Sequence, residues 1–523
     1  MSLAIYDTRQ RRKVLFAPRS TPATMYLCGM TPKAPPHMGH ARLFVVADVF
    51  RRYLAWRDMP LTYVQNFTDV DDKIIERARA AGEEPLAYAQ RMTDAYYEVM
   101  DALNIEHADH YPRVTEHIDT IIRVITGLIE REAAYAVGGN VYFAVDAFPA
   151  YGQLSGRVEE GVEAGRRIEV DAQKRNPRDF ALWKPAAAGE LSWESPWGPG
   201  RPGWHIECTS MVFELLGPQV DLHAGGADLI FPHHENEIAQ SEAFTGQSPF
   251  ARHWLHIGLL MAGSEKMAHS LNNYTTVASL LESYPAEAIR LYLLSVHYRS
   301  PMTFAPEHIE AQRKGLDRLV HAVQRDSAGL AAAQGPDLSA GSATSRRRFM
   351  SAMDDDLNTA AAIGAIYDLA RDINRVAEEQ AGSLGEAQDT LRELVGVLGV
   401  DLAAVAERHS GRQAGAAEPF LNLLLDMRQS LRSEGHYALA DTIRDRLAEV
   451  GVSLEDRASG TEWRQSDRRA ELAAPPLISL LLDIRQGLRT DRHFALADSV
   501  RDHLSDLDIA IEDRPDGPLW RKR

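Results

Sequence analysis

Residues 24 to 28, Thr-Met-Tyr-Leu-Cys, form a short apolar run that predicts a buried strand. Gly29 to Pro36 then breaks into a loop rich in Pro and Gly. From Met38 the period changes: Leu43, Val46, Phe50 and Leu54 share one face of a helix, and Pro35-Pro36 suit its start. Leu61 to Asn66 predicts another strand, and helical patterning resumes at Asp71. Strand, loop, helix, strand, helix is the grammar of a parallel α/β sheet.

Residues 110 to 205 are more mixed, with Gly, Pro and Trp dense between Trp183 and Trp204, and predict an insertion between two halves of that sheet. The core resumes at Val220-Asp221-Leu222-His223, followed by a Gly-Gly turn and a helix from about Pro232. Beyond about residue 305 the pattern is helical, with a 3.6-residue period over Arg348 to Ala377 and Ala387 to Leu398. Ser327 to Ser345 and Glu407 to Ala417 have linker composition. The expected organisation is a Rossmann-like α/β catalytic domain (1–110 and 205–305), an inserted domain (111–204), a helical bundle (306–406) and two small modules (418–465 and 474–523).

The two modules are an internal repeat. Leu425-Asp426-Met427-Arg428-Gln429 returns as Leu482-Asp483-Ile484-Arg485-Gln486, and Tyr437-Ala438-Leu439-Ala440-Asp441 as Phe494-Ala495-Leu496-Ala497-Asp498. Leu454-Glu455-Asp456-Arg457 returns as Ile511-Glu512-Asp513-Arg514, and Trp463-Arg464 as Trp520-Arg521. The offset is 57 residues at every anchor. Because the tail matches as well as the helices, this is a duplicated unit of two helices and a hairpin-like end.

Composition narrows the class. With 523 residues, 45% apolar and 25% charged, the chain has the balance of a multidomain soluble protein. The polar start, Met1 to Lys13, has no signal-peptide core, and apolar runs such as Leu43 to Ala47 are too short to span a bilayer. The expectation is a cytoplasmic protein with no membrane partner. A net charge of −17 weighs against broad nucleic-acid binding, and against DNA in particular, but leaves room for one local basic stripe.

Two constellations carry chemistry. His37-Met38-Gly39-His40 falls at a strand–loop–helix junction, where free N–H groups and positive partial charge suit a phosphate chain. Two histidines one turn apart there can meet ATP oxygens, and Gly39 lets an adenine approach the backbone. The second constellation joins Cys28 and Cys208, the only cysteines, to His233 and Glu237, four apart on one helical face. The cysteines are expected at strand ends or in loops. Two thiolates, an imidazole and a carboxylate make a tetrahedral zinc site, with His234 an alternative ligand.

Larger blocks then become specific. Gly203-Trp204-His205-Ile206-Glu207-Cys208, His223-Ala224-Gly225-Gly226-Ala227-Asp228, Phe231-Pro232-His233-His234-Glu235-Asn236-Glu237-Ile238 and Asn66-Phe67-Thr68-Asp69-Val70-Asp71-Asp72-Lys73 resemble the characteristic blocks of cysteinyl-tRNA synthetases. His37-Met38-Gly39-His40 resembles the HIGH motif of class I synthetases. The resemblance spans most of residues 1 to 310 and implies ATP-dependent activation of L-cysteine and its transfer to tRNA(Cys). It implies Cys28, Cys208, His233 and Glu237 as ligands of one Zn2+, and Mg2+ accompanying ATP. It places Thr68, Trp204 and His223 at the cysteine, and Gly39, His40, Gly226 and Asp228 near the adenosine.

Glu265-Lys266-Met267-Ala268-His269-Ser270 occupies the place of the family's mobile KMSKS loop. Lys266 matches, whereas Ala268 replaces a serine and His269 the second lysine, leaving less positive charge for ATP. His37, His40 and Lys266 are the expected catalytic groups, with His269 an ATP contact; Lys33 is a candidate to restore the missing charge. In the C-terminal modules Arg444, Arg464, Arg501 and Arg521 are candidate phosphate or base contacts, and Trp463 and Trp520 candidate stacking groups. Two other readings compete. A cysteine–amino-sugar ligase, as in mycothiol biosynthesis, fits the catalytic blocks but not the long helical tail. A non-catalytic or weakly active tRNA-binding paralogue fits only the altered loop.

Overall fold

Four strands pair in parallel, in the order Ala251–Ile257, Val220–Gly226, Ala23–Met30, Leu61–Phe67. Their interiors are buried almost without alternation, as expected when both faces of a sheet are covered. The computed structural model describes the chain except residues 1–2, 157–171, 188–189, 268–270, 272, 326–337, 380–382, 458–459, 466–473, 515–516 and 523. It divides into two units, Met1–Leu402 and Ala403–Arg523.

From the central pair, Ala23–Met30 and Val220–Gly226, the chain leaves toward opposite edges of the sheet. Their C-terminal ends therefore border a crevice at the topological switch point. Gly29 makes close strand approach there possible: a Cβ at this position would lie 1.9 Å from the backbone oxygen of Asn66. The helix Met38–Trp56 starts from this crevice, and the segment between the sheet halves builds a four-stranded antiparallel sheet behind the amphipathic helix Ile118–Glu130.

Three sequence expectations change. The continuous helical pattern over Arg348 to Ala377 is two helices, Ser339–Asp354 and Thr359–Glu378. Asp356 and Leu357 between them adopt positive φ, and the buried Asp356 carboxylate accepts from the Tyr6 N–H, the Tyr298 hydroxyl and Arg299. Long-range partners, which a periodicity cannot register, break the helix. The predicted linker Glu407 to Ala417 lies inside one helix, Leu402–Ser433, where Ala, Gln, Glu and Arg favour helix despite their polarity. The linker predicted over Ser327 to Ser345 falls partly outside the described residues and is helical from Ser339.

Within the first unit, Arg290 is a buried tie. Its guanidinium donates to the carbonyls of Leu398, Leu103 and Asn104 and pairs with the equally buried Asp48. In the second unit the repeat is visible element by element: Tyr437–Glu449 and Phe494–Asp506 are matching helices, and Val452–Arg457 with Gly460–Gln465 matches Ile509–Arg514 with Gly517–Lys522 as hairpins. One leucine-rich core serves both copies.

Candidate functional site

Strand, helix and turn converge behind the crevice. Cys28 lies near the end of its strand, but Cys208 sits in the first turns of the helix Trp204–Leu216, not at a strand end or in a loop. The Gly- and Pro-rich segment before Gly203 hides that helix start in the sequence. His233 belongs to the turn Ile230–His234, and Glu237 to the following helix Glu235–Thr245. Potential ligand atoms of Cys28, Cys208, His233 and Glu237 all lie within 4.8 Å of one another, and all four residues are buried.

The edges of this cluster are short. The two sulfurs are 3.8 Å apart, Cys28 Sγ is 3.4 Å from Glu237 Oε1, and His233 Nε2 is 3.0 Å from the same oxygen. A second grouping, Cys28, His223, His234 and Glu237, meets the same distance limit but contains one sulfur. Its histidines have further commitments: His223 Nε2 lies 2.8 Å from Glu237 Oε2, and His234 Nδ1 lies 2.7 Å from His256 Nε2.

The electrostatics show why the cluster holds charge in a dry interior. Burial opposes ionisation of Glu237, but His223 and His233 outweigh it and hold its carboxyl well below the usual range. Burial opposes protonation of His233, which the Glu237 carboxylate and Cys208 nonetheless hold at about 10. The hydrogen bond from Cys28 lowers the Cys208 thiol to about 6, while burial pushes the Cys28 thiol well up. His205 Nδ1 lies 2.9 Å from His233 Nδ1, so His205 orients that ring from behind.

The crevice itself is a cleft of about 370 Å³. Its walls include Cys28, Lys33, His37, Gly39, His40, Trp204, Gly226, Asp228 and Lys266, so most of the predicted substrate residues meet around one space. Thr68 and His223 lie behind the wall: Thr68 donates to the buried Glu207, and His223 contacts Glu237. His269 lies outside the described residues. Trp204, 44% exposed, places its ring 4.4 Å from that of His233.

His37 and His40 also cap the helix Met38–Trp56. The His37 ring nitrogen accepts from the backbone N–H groups of Gly39 and His40, while His40 accepts from the His37 N–H in return. The rings stack with centroids 3.8 Å apart. Gly39 is therefore needed by its own neighbour, since a Cβ there would lie 2.8 Å from the His37 ring.

Lys73 and Arg77 also line the cleft, and sequence reasoning missed them. Their signal was present: Lys73 ends one of the quoted blocks, and Arg77 follows one helical turn later. Burial, then the neighbouring Lys73, lowers the Lys33 ammonium, and Lys266 stands 3.4 Å from Asp228. The result is a concentration of cations at the helix start, which suits phosphate.

The profile described as the tRNA synthetases class I (C) catalytic domain matches residues 16–314, and a DALR domain profile matches residues 348–403. The profile of the cysteinyl-tRNA ligase anticodon binding domain matches residues 418–464. A solved structure of Mycobacterium tuberculosis methionyl-tRNA synthetase with methionyl-adenylate superimposes with a TM-score of 0.55 at 17% identity, covering 72% of this chain and 90% of that one. Fold and crevice thus define a class I aminoacyl-tRNA synthetase architecture. The cysteine–tRNA ligase of Dehalococcoides mccartyi is 46% identical over 464 residues, 88% of this chain and 99% of its own. That of Moorella thermoacetica is 47% identical over 481 residues, 88% of this chain and 100% of its own. The chain belongs to the cysteinyl-tRNA synthetase family.

Among the described residues no helix is long and apolar enough to cross a membrane.

Proposed function

We propose that the chain activates L-cysteine with ATP to cysteinyl-adenylate and transfers the cysteinyl group to tRNA(Cys), with one Zn2+ held by Cys28, Cys208, His233 and Glu237. The observation that supports the metal is the shape of the donor set. Tetrahedral ligation with zinc–sulfur bonds near 2.3 Å and zinc–oxygen and zinc–nitrogen bonds near 2.0 Å requires edges of about 3.8, 3.5 and 3.3 Å for S–S, S–O and N–O. The corresponding distances here are 3.8, 3.4 and 3.0 Å. When bound, zinc would prefer a thiolate to a hydroxyl as a ligand added to the four protein donors, which would separate cysteine from serine.

The protein's own groups do the rest. His205 and His223 fix the orientations of His233 and Glu237. Trp204 walls the amino-acid end, with Thr68 and His223 supporting it from behind. Gly226 and Asp228 border the adenosine, while His37, Gly39 and His40 shape the helix start that meets the phosphates. Lys33, Lys73, Arg77 and Lys266 balance the charge of the departing pyrophosphate, with Mg2+ travelling on ATP; His269 joins them on the sequence argument alone.

The cysteine carboxylate oxygen attacks the α-phosphorus, and the bond to the pyrophosphate breaks. The terminal ribose hydroxyl of the tRNA then attacks the adenylate carbonyl; AMP leaves, and the hydroxyl proton passes to the departing phosphate. Neither step needs a covalent protein nucleophile, so positioning and charge stabilisation carry the rate.

Cysteine-dependent ATP–pyrophosphate exchange, with serine as control, tests this reading. Exchange with cysteine alone, lost on chelation and regained with zinc, is expected. Exchange indifferent to chelation overturns the zinc assignment, and absence of exchange in the metal-loaded protein overturns activation itself.

A further inference from the structure

Lys33 stands apart from the other cations of the cleft in how it is held. Its loop, Thr31-Pro32-Lys33-Ala34-Pro35-Pro36, carries three prolines, which fix φ and leave few conformations open. The Lys33 N–H donates to the Thr31 carbonyl at 2.8 Å, and the Pro36 carbonyl accepts from the Val277 N–H at 3.2 Å. Between them the Lys33 carbonyl accepts twice, from Arg77 Nη1 and from the Tyr88 hydroxyl, each at 3.0 Å. A carbonyl with both lone pairs engaged has little freedom to turn. Lys266 differs: its side chain is 47% exposed, and its ammonium faces the exposed Asp228.

The two donors to Lys33 come from one small unit. Asp72–Ala81 and Pro85–Ala102 are consecutive helices. Ile74 and Ala78 on the first pack with Tyr88, Ala89 and Met92 on the second in an apolar cluster of their own. Tyr88 is 8% exposed and lines no part of the cleft. The Arg91 guanidinium lies 5.0 Å from the centre of its ring and pairs with Glu83 at 2.7 Å. Packing therefore fixes the ring, and the ring carries its hydroxyl to the loop.

We propose that Tyr88 is a positioning residue for ATP: through the Lys33 carbonyl it fixes the Lys33 ammonium at the phosphate end of the cleft before the nucleotide arrives. This role rests on the reading of the cleft as an ATP site. A charge set in place beforehand attracts the phosphates of bound ATP and of the transition state alike. Such uniform binding lowers KM and leaves kcat nearly unmoved. The hydroxyl acts through Lys33, so its contribution vanishes once the lysine side chain is removed.

The test is a double-mutant cycle of Tyr88→Phe and Lys33→Ala in the full chain. It is read by cysteine-dependent pyrophosphate exchange and by calorimetric binding of β,γ-methylene ATP. Tyr88→Phe keeps the ring in its apolar cluster and removes one hydrogen bond. It is expected to raise the ATP KM and the analogue's Kd about two- to fivefold, with the effect absent from kcat, the cysteine KM and zinc content. In the Lys33→Ala background the same substitution is expected to change neither KM nor Kd. Normal exchange with a KM unmoved by Tyr88→Phe, or raised equally with and without the Lys33 side chain, overturns the positioning role, as does a loss confined to kcat. If the unaltered protein shows no exchange but binds the analogue with the same coupling between Tyr88 and Lys33, the activation reading falls and the positioning role stands. An unaltered protein that binds no analogue overturns both.

Discussion

The two units solve opposite problems. Behind the crevice, the first unit gathers cysteines, histidines and glutamates at positions that are almost wholly buried. The second unit fills its interior mainly with leucine, isoleucine and valine, with Phe420, Arg428 and Arg485 also buried, and holds Tyr437 and Phe494 in solvent. In the first, the site is part of the core, so chemistry and folding are one problem. In the second, the core is assembled mainly from aliphatic side chains, and the surface is free to specialise. Substitutions should therefore couple activity to stability in one unit and separate them in the other.

The largest effect belongs to the buried donors. Cys208→Ala should remove the bound zinc and cut cysteine-dependent exchange by more than about 100-fold, as metal analysis and exchange assays would show together. It should also lower the melting temperature, because a charged neighbour is left uncompensated. Retention of zinc at one equivalent would break the comparison at its first side.

In the second unit, Leu481→Ala should cost roughly 2–5 kcal/mol on denaturant unfolding of the transition assigned to that unit, with exchange unchanged. A parallel loss of exchange would show that the two cores are not independent in function.

Acid sharpens the contrast. Burial holds His253 down at about 4 and His256 at about 3, against about 6.5 in an unfolded chain. Below pH 6.5 the unfolded state takes up protons that the folded state refuses. Stability is thus full above that pH and falls on the order of 1 kcal/mol per pH unit per histidine until the folded values are reached. Unfolding curves at pH 7 and pH 5 should shift for the first unit, and His253→Gln should reduce the shift.

The smallest effect lies at the cleft mouth. Lys33→Ala should raise the ATP KM in pyrophosphate exchange about three- to tenfold while leaving zinc content untouched. An unchanged KM would leave Lys73, Arg77 and Lys266 to hold the phosphates.

Local signals explain what could be read in advance. The strand at Thr24–Cys28 and the helix from Met38 announce themselves because period and breaker residues agree over a few neighbours. His233 and Glu237 meet because they are one turn apart, a distance written in the chain. Cys28 and Cys208 reach them through the sheet and a helix whose start is masked by Gly and Pro, and His205 meets His233, and His256 meets His234, only by tertiary packing. The break at Asp356 is invisible for the same reason: its partners are Tyr6, Tyr298 and Arg299. Trp463 and Trp520, candidates for stacking on bases, lie partly buried against the core of their unit, and the Arg464 side chain is outside the described part of the structure. The contact between His436 and His493, whose ring centroids lie 4.1 Å apart, likewise appears only in the folded unit.

The Arg290 tie sets a limit on dissection. A fragment ending with the helix Ala286–Leu294 would keep Arg290 and its neighbours Asp48 and Leu103 but lose the Leu398 carbonyl that the guanidinium also grips. The helices that follow the sheet are thus not an appendage to be trimmed when the catalytic half is expressed alone. The earliest cut compatible with a satisfied interior falls after Leu398, close to the boundary at Leu402 where the first unit ends.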